Sequence, residues 1–257
     1  MIAKERQDLI LQKIHADGVV YLNELAKEFN VSACTIRRDF EKLEKLNFCR
    51  RVHGGAVKVQ NPQHSLEMTD LHMDQRITMH MDEKKALCQR VAQMIDNGDC
   101  VFIDGGTTFM YIMEYLKDKK ITVVSHNMLL KNDDAYQCEL YILGGRNSSK
   151  YQMNLGPMVL DDLSYFHFDK VFLGAAGFAL ENMNFYTAEL ETAKVKQQAI
   201  KQGQECYVVL DSSKIGVYGF YAMTNLADLN GLVTTQNIKS VKEKLIWVPM
   251  PEQSSEV

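Results

Sequence analysis

Leu9, Ile10 and Ile14 recur at helical spacing between Ala3 and Ala16, and Gly18 ends the run. Leu22, Leu25, Ala26 and Phe29 fall at i, i+3, i+4 and i+7, which predicts a second helix of about two turns stopping at Asn30. A third helix is predicted from Ala33 to Leu46, with Ile36, Phe40 and Leu43 on one face and Ser32 in front to accept an orphan backbone N–H. At about 100° per residue, its opposite face centres on Cys34, Arg38 and Glu41, with Arg37 on one edge and Thr35 and Lys42 on the other. Two short β-prone runs follow, Phe48 to Val52 and Ala56 to Val59. They are joined through His53, Gly54 and Gly55, where adjacent glycines permit the positive φ of a tight hairpin.

The pattern changes after residue 60. Residues 61–81 carry Pro62 and no sustained period, so they read as a linker between a first domain, 1–60, and a second, 82–248. The second opens with an amphipathic helix from Asp82 to Asn97, closed by Gly98. Apolar runs then recur: CVFID, ITVVS, LYIL, KVFLG, CYVVLD (ending at Asp211) and GLVTT. They lack in/out alternation, which predicts strands covered on both faces, and helical segments separate most of them. The fold class is therefore α/β, a small helical domain followed by a larger Rossmann-like parallel sheet. The tail after Trp247 is expected to fray.

Composition adds class and compartment. A chain of 257 residues, 46% hydrophobic and 24% charged, suits one or two folded domains. No apolar run approaches the roughly 18 residues that span a bilayer, and the charged start MIAKERQDLI lacks the apolar stretch of a signal peptide, so a cytoplasmic protein with no membrane partner is expected. The six cysteines form no CxxC pair and read as reduced thiols. His64, His72 and His80, eight apart, do not converge on a helix or strand, so neither metal nor cofactor is expected. Residues 1–60 hold 11 Lys+Arg against 8 Asp+Glu, within a chain of net charge −4. A basic excess confined to one end suits a polyanion.

Helix, short helix, outward-facing basic helix and basic hairpin form the winged helix-turn-helix pattern, whose third helix enters the major groove of duplex DNA. Arg37 and Arg38 are placed to pair bidentately with guanine, and Ser32, Ala33, Cys34, Thr35 and Lys42 share their surface. Arg50, Arg51, His53 and Lys58 on the hairpin are placed to hold phosphates. In the sheet domain, ligands bind beyond the carboxyl ends of the strands. There Gly105 and Gly106 let backbone N–H groups approach an anion, Thr107 and Thr108 add hydroxyls, and the following helix favours negative charge. Asn127, Gly144, Gly145, Arg146 and Asp211 to Lys214 close other strands on the same rim.

The stretch VSACTIRRDFEKLEKLNFCRRVHGGAV resembles the amino-terminal signature of the DeoR/GlpR family of bacterial transcription regulators. Tyr21-Leu22 departs from the Ser or Thr cap usual there. The second domain is similar to that family's sensor domain, related in fold to ribose-5-phosphate isomerase. The resemblance implies that Asp104 to Thr108 cradle a phosphate, that Asn127, Gly144, Gly145, Thr187 and Glu191 belong to the effector site, with Lys196 on the helix of Glu191, and that Lys214 neutralises phosphate. Gly174-Ala175-Ala176-Gly177 lacks the carboxylate of the usual Gly-x-Asp-Gly. The expected function is a DNA-binding regulator, by family habit a repressor, modulated by a phosphorylated sugar and working as a homodimer or homotetramer on paired half-sites. The alternative is an isomerase, with Asp104, Glu191, Asp211 and Lys214 as candidate acid–base groups.

Overall fold

The computed structural model describes residues 3–45, 49–52, 54–57 and 73–250, and the chain divides into two compact units, 1–68 and 69–257. In the first unit, α1 (Ala3–Asp17), α2 (Leu22–Glu28) and α3 (Ala33–Lys45) enclose a core of Ile10, Ile14, Leu25, Phe29, Ile36, Phe40 and Leu43, the spacing-predicted faces. The sequence pattern missed one element: β1 (Val19–Tyr21) pairs antiparallel with β3 (Gly55–Val57), which also pairs with β2 (Arg50–Val52), giving the order β1-β3-β2. Three residues are too few to show a period; the strand exists because β3 offers a second edge. Tyr21 gives α2 no side-chain cap, and the hairpin compensates, since Gly54 O accepts Leu22 N–H at 2.9 Å.

The two hairpin glycines serve different needs. Only Gly54 has positive φ, +84°, whereas a Cβ on Gly55 would stand 2.2 Å from Val20 O. Gly55 is small because β1 crosses there, not because the turn bends there. Phe48, His53 and Lys58 lie outside the described residues, as do 61–72 of the expected linker and the tail from 251. Within that linker stretch the chain is helical where described, at α4 (Met73–Thr78). The next helix, α5 (Met81–Gln93), ends before Asn97, and the chain turns at Gly98, φ +97°.

The second unit is built on seven parallel strands: β4 (Cys100–Ile103), β5 (Thr122–Ser125), β6 (Glu139–Ile142), β9 (Phe168–Leu173), β12 (Gly203–Leu210), β14 (Gly231–Thr234) and β15 (Leu245–Trp247). Their order is β15-β14-β12-β9-β4-β5-β6. The chain winds outward from β4 to β6, returns to β9 beside β4, and winds out the other way, so the topological switch point lies between β4 and β9. Successive residues feed two cores: Phe102, Val124, Leu173 and Val208 pack on one face, and Val101, Ile103, Val123, Phe172 and Val209 on the other. That explains the missing alternation.

Three further elements border the sheet: α6 (Ile112–Leu116), α7 (Pro157–Leu163) and α8 (Leu190–Gln202). Two antiparallel additions escaped the sequence pattern, the hairpin β7 (Arg146–Ser148) with β8 (Met153–Leu155), and the sheet β10 (Gly177–Ala179), β11 (Asn184–Thr187) and β13 (Tyr221–Asn225). All six cysteines are free, and only Cys34 is exposed.

Candidate nucleic-acid interface and anion pocket

At the start of α3, Ser32 Oγ accepts Thr35 N–H at 3.1 Å and lies 2.9 Å from Thr35 Oγ1, so the cap holds the Thr35 hydroxyl as well. Ala33, Cys34, Arg37, Arg38 and Lys42 are exposed, while Ile36, Asp39, Phe40 and Leu43 are buried. Asp39 turns inward: Arg6 reaches it through two bonds of 2.5 and 3.2 Å, and Gln7 donates at 2.8 Å. This pair locks α1 beneath α3, so the neighbouring arginines project from a fixed backbone. Spacing alone gives Asp39 no role, because one carboxylate following an arginine pair looks like local neutralisation.

On the hairpin, Arg50 is exposed and makes no ion pair among the described residues. Arg51 differs from the expected phosphate clamp. Its Nε meets Glu44 at 2.5 Å, its guanidinium meets Glu41 at 3.0 Å, and its N–H is taken by Glu44 at 2.8 Å. Arg51 ties the hairpin to α3, and Glu44, engaged first by the Arg51 backbone and then by its side chain, has its pKa lowered.

In the second unit the sheet brings Asp104, Asn127, Lys214 and the glycine loop to one rim, as expected, but several roles differ. Asp104 is fully buried at the switch point. Its carboxylate accepts Gly174 N–H at 2.8 Å, meets His126 Nε2 at 3.1 Å and pairs with Lys196. Burial alone would raise its pKa; Lys196 and His126 overcome this and hold it at about 2. Asp104 is therefore the keystone of the loop and presents nothing to a ligand. Gly105 N–H points at His126 Nε2, 3.0 Å away, and a Cβ on Gly105 would lie 2.8 Å from Met153 Cε. The Asn127 amide donates to Gly106 O at 3.0 Å and Asp104 O at 3.3 Å, so Asn127 also shapes the loop from beneath.

Beyond the loop, the expected single helix is a 3-10 turn, Thr107–Phe109, followed by the five-residue α6. Little macrodipole is available from elements so short. Cationic side chains take its place. Arg76 on α4 comes within 3.9 Å of where a Gly106 Cβ would be, the buried Lys84 on α5 donates to Arg76 O, and Lys214 closes β12. Burial lowers the pKa of each, opposed by Asp211. Lys84 falls to about 8, with Lys214 and Arg76 repelling its charge further. Three cations that share Asp211 as an opposing charge make this rim a candidate anion site. Arg76 and Lys84 went unread because they lie upstream of the first strand, where no strand-end rule points to them.

Neighbouring groups fix the pocket wall. Glu83 accepts His80 Nδ1–H at 2.8 Å, Ser212 N–H and Oγ–H at 2.9 Å each, and the Thr235 hydroxyl, bonds that outweigh burial and hold its pKa at about 2. The sole tryptophan, Trp247, donates its indole N–H to Thr235 O at 3.1 Å. Asp211 accepts from Ser213, capping the turn that carries Lys214. The remaining predicted residues make other contacts. Arg146, exposed, and Glu191, half-buried, pair with each other. Thr187 bonds Thr192 at 2.7 Å. Gly145, φ +126°, lets β8 pass, since its Cβ would stand 2.7 Å from Leu155 O, and Gly144 faces Met158 and Asp162. Among the described residues no helix is long and apolar enough to cross a membrane, and no His, Cys, Asp and Glu cluster could hold a metal.

Comparison with known proteins matches residues 6–61 to the DeoR-like helix-turn-helix domain and residues 79–236 to the DeoR C terminal sensor domain. The chain is 32% identical to the uncharacterized HTH-type transcriptional regulator FruR of Bacillus subtilis (strain 168), over 91% of this chain and 92% of that one. It is 28% identical to the lactose phosphotransferase system repressor of Staphylococcus epidermidis, over 94% and 95%. Among solved structures, ribose 5-phosphate isomerase A of Methanocaldococcus jannaschii is similar over 52% of this chain and 54% of that chain, with 13% identity and a TM-score of 0.37, too loose a likeness to build on.

Proposed function

The chain belongs to the DeoR family of transcriptional regulators, and from that premise we propose that it is a cytoplasmic repressor of a carbohydrate-utilisation operon, binding operator DNA as a homo-oligomer and responding to a phosphorylated sugar. The reading head is residues 1–60, with Arg37 and Arg38 at base edges and Arg50 on phosphate. The sensor extends to residue 248. Arg76 brings the stretch ahead of residue 82 into the sensor's work.

The observation that carries the effector reading is the group Arg76, Lys84 and Lys214 beside the glycine loop, with Asp211 as the shared counter-charge. A phosphate monoester carries about two negative charges near neutral pH and would offset the burial, and the lesser repulsion from Lys214 and Arg76, that depress Lys84. Such a ligand moves operator affinity only as far as it prefers one state of the protein over the other. Isomerase chemistry finds no support at this rim. Asp104 has no exposed surface, Glu191 is paired with Arg146, and Asp211 caps a turn. A proton-abstracting base needs a free carboxylate within reach of substrate.

The test is operator binding by fluorescence anisotropy, with DNA from upstream of the gene and neighbouring operons, in the presence of phosphorylated sugars, the same sugars unphosphorylated, and inorganic phosphate. The reading expects a protected site whose affinity changes with a phosphorylated sugar and not with its free counterpart. A protein that binds no such DNA, or binds it identically with every sugar phosphate, overturns it.

A further inference from the structure

The two edges of the seven-stranded sheet are finished differently. At one edge, β15 is preceded by Lys239, Lys242 and Lys244 and followed by Pro249, residues that discourage another strand from pairing. At the other edge, β6 reads Glu-Leu-Tyr-Ile, with neither lysine nor proline. Glu139 and Leu143 donate their N–H groups to Ile121 and Ser125 on the β5 side, so the odd-numbered residues of β6 face β5. Leu140 and Ile142 aim their backbone N–H and C=O groups away from the sheet, and no described strand pairs with them.

Exposed apolar side chains gather around that edge, with Asp162 among them, its carboxylate 3.9 Å from a Cβ placed on Gly144. Tyr141 is 49% exposed, Ile142 38%, Met158 61% and Tyr165 87%. Tyr141 packs edge-on against Phe166, next to Tyr165, with ring centroids 6.1 Å apart. Met158 reaches to 3.8 Å from a Cβ placed on Gly144, two residues past β6. On the α7 face, Tyr141, Met158 and Tyr165 together expose on the order of 500 Å² per copy, within the roughly 300–600 Å² found for the largest patch on a monomer, while Ile142 points to the other face of the sheet. A stable interface takes about 800 Å² per partner, and the open backbone and rim of β6 supply much of the rest.

We infer that the β6 edge and the adjoining surface from Met158 on α7 to Tyr165 in the turn after it are where a second copy of this chain docks, β6 pairing antiparallel with its counterpart about a two-fold axis through Tyr141. The register follows from which groups point outward. Leu140 of each copy exchanges both backbone bonds with Ile142 of the other, giving four inter-chain hydrogen bonds. Tyr141 then opposes Tyr141 in the close, non-bonded position, and the two α7 surfaces meet on one face of a continuous fourteen-stranded sheet. A perpendicular two-fold makes this patch its own complement. The inference stands on the sheet edge, separately from the anion pocket.

Cross-linking in the full-length chain tests it. In a C34S background, which removes the exposed thiol, Tyr141→Cys is expected to form a disulfide-linked dimer under mild oxidation, because opposed residues in the close position bring their Cβ atoms within about 4.5–5.5 Å; Glu243→Cys, exposed beside β15 at the opposite edge of the sheet, is the control that should cross-link far less. In parallel, light scattering on the Met158→Glu/Tyr165→Glu double variant, checked for folding by circular dichroism, should show dimer dissociation at a concentration at least tenfold higher than for the parent. A chain that is monomeric at tens of micromolar overturns the inference. So does a dimer that resists the double substitution and does not link through position 141, since that places the contact elsewhere. Neither result bears on whether the anion pocket senses a sugar phosphate.

Discussion

Asp104 accepts the backbone N–H of Gly174 at 2.8 Å, a bond that joins the ends of β4 and β9, from which the chain winds away in opposite directions. The same carboxylate pairs with Lys196, which packs from α8. One buried side chain thus fixes the loop, the seam of the sheet and the helix beside it.

Replacing Asp104 with Asn leaves Lys196 buried without its counter-charge. A loss of about 3–5 kcal/mol is expected for an orphaned buried partner. Asp104→Asn combined with Lys196→Met should recover much of it, because the uncompensated charge is gone. Denaturant unfolding of the parent and the two variants checks this, and an Asp104→Asn variant as stable as the parent would contradict the keystone role.

Acid should act through the same groups. Asp104 and Glu83 both have pKa values held at about 2, below their unfolded values. A depressed carboxylate contributes stability that is present above its unfolded pKa and lost as pH falls toward the folded one. Melting temperature should therefore drop between about pH 4.5 and pH 2, and Glu83→Gln should flatten part of that drop.

Lys84 predicts a slope of the same sign in the alkaline range. Its pKa in the folded protein, about 8, lies below the ordinary 10.5, so the ligand-free protein gains stability as pH rises from about 8 toward that value. A bound anion raises Lys84 again, so binding takes up a proton. Affinity for a sugar phosphate, or for inorganic phosphate as probe, should weaken above about pH 8. Calorimetry at pH 8.5 in buffers of different ionisation heat measures the uptake; heats that agree across buffers argue against it. Lys84→Met should abolish both binding and uptake while leaving DNA affinity unchanged.

Arg38→Ala should weaken specific operator binding by about 1–3 kcal/mol, and random DNA far less. Equal losses on both sequences would assign Arg38 to phosphate.

Arg50 and Arg51 stand side by side, yet their effects should differ. Arg50→Ala is expected to reduce the salt slope of DNA binding by about one, the signature of a lost phosphate contact. Arg51→Ala should leave that slope nearly unchanged, since Glu41 and Glu44 already engage its guanidinium. Matching slopes for the two variants would return Arg51 to the DNA-facing set.

What could be read from the sequence follows the range of the forces involved. The buried faces of α1, α2 and α3 were legible because helical spacing is local, and six of the seven sheet strands because their apolar runs are continuous, in the edge strand β6 as in the buried ones. β1 and β15, three residues each, carry too little pattern, and β7, β8, β10, β11 and β13 depend on partners distant in sequence. The glycine loop was found, but the direction of its groups was not: Gly105 N–H and the Asn127 amide turn inward, and only the fold reveals that. Arg76 and Lys84 are ordinary helix cations until α4 and α5 bring them to the rim.

The chain also carries its own optical probe. Trp247 is hydrogen-bonded to Thr235, whose hydroxyl donates to Glu83, and Glu83 in turn holds Ser212 at the turn bearing Lys214. A single indole at the end of that relay means native emission can be recorded without dye or label. Any rearrangement of the Lys214 turn on metabolite capture should register as a change in tryptophan brightness or colour, giving titration curves from unmodified protein.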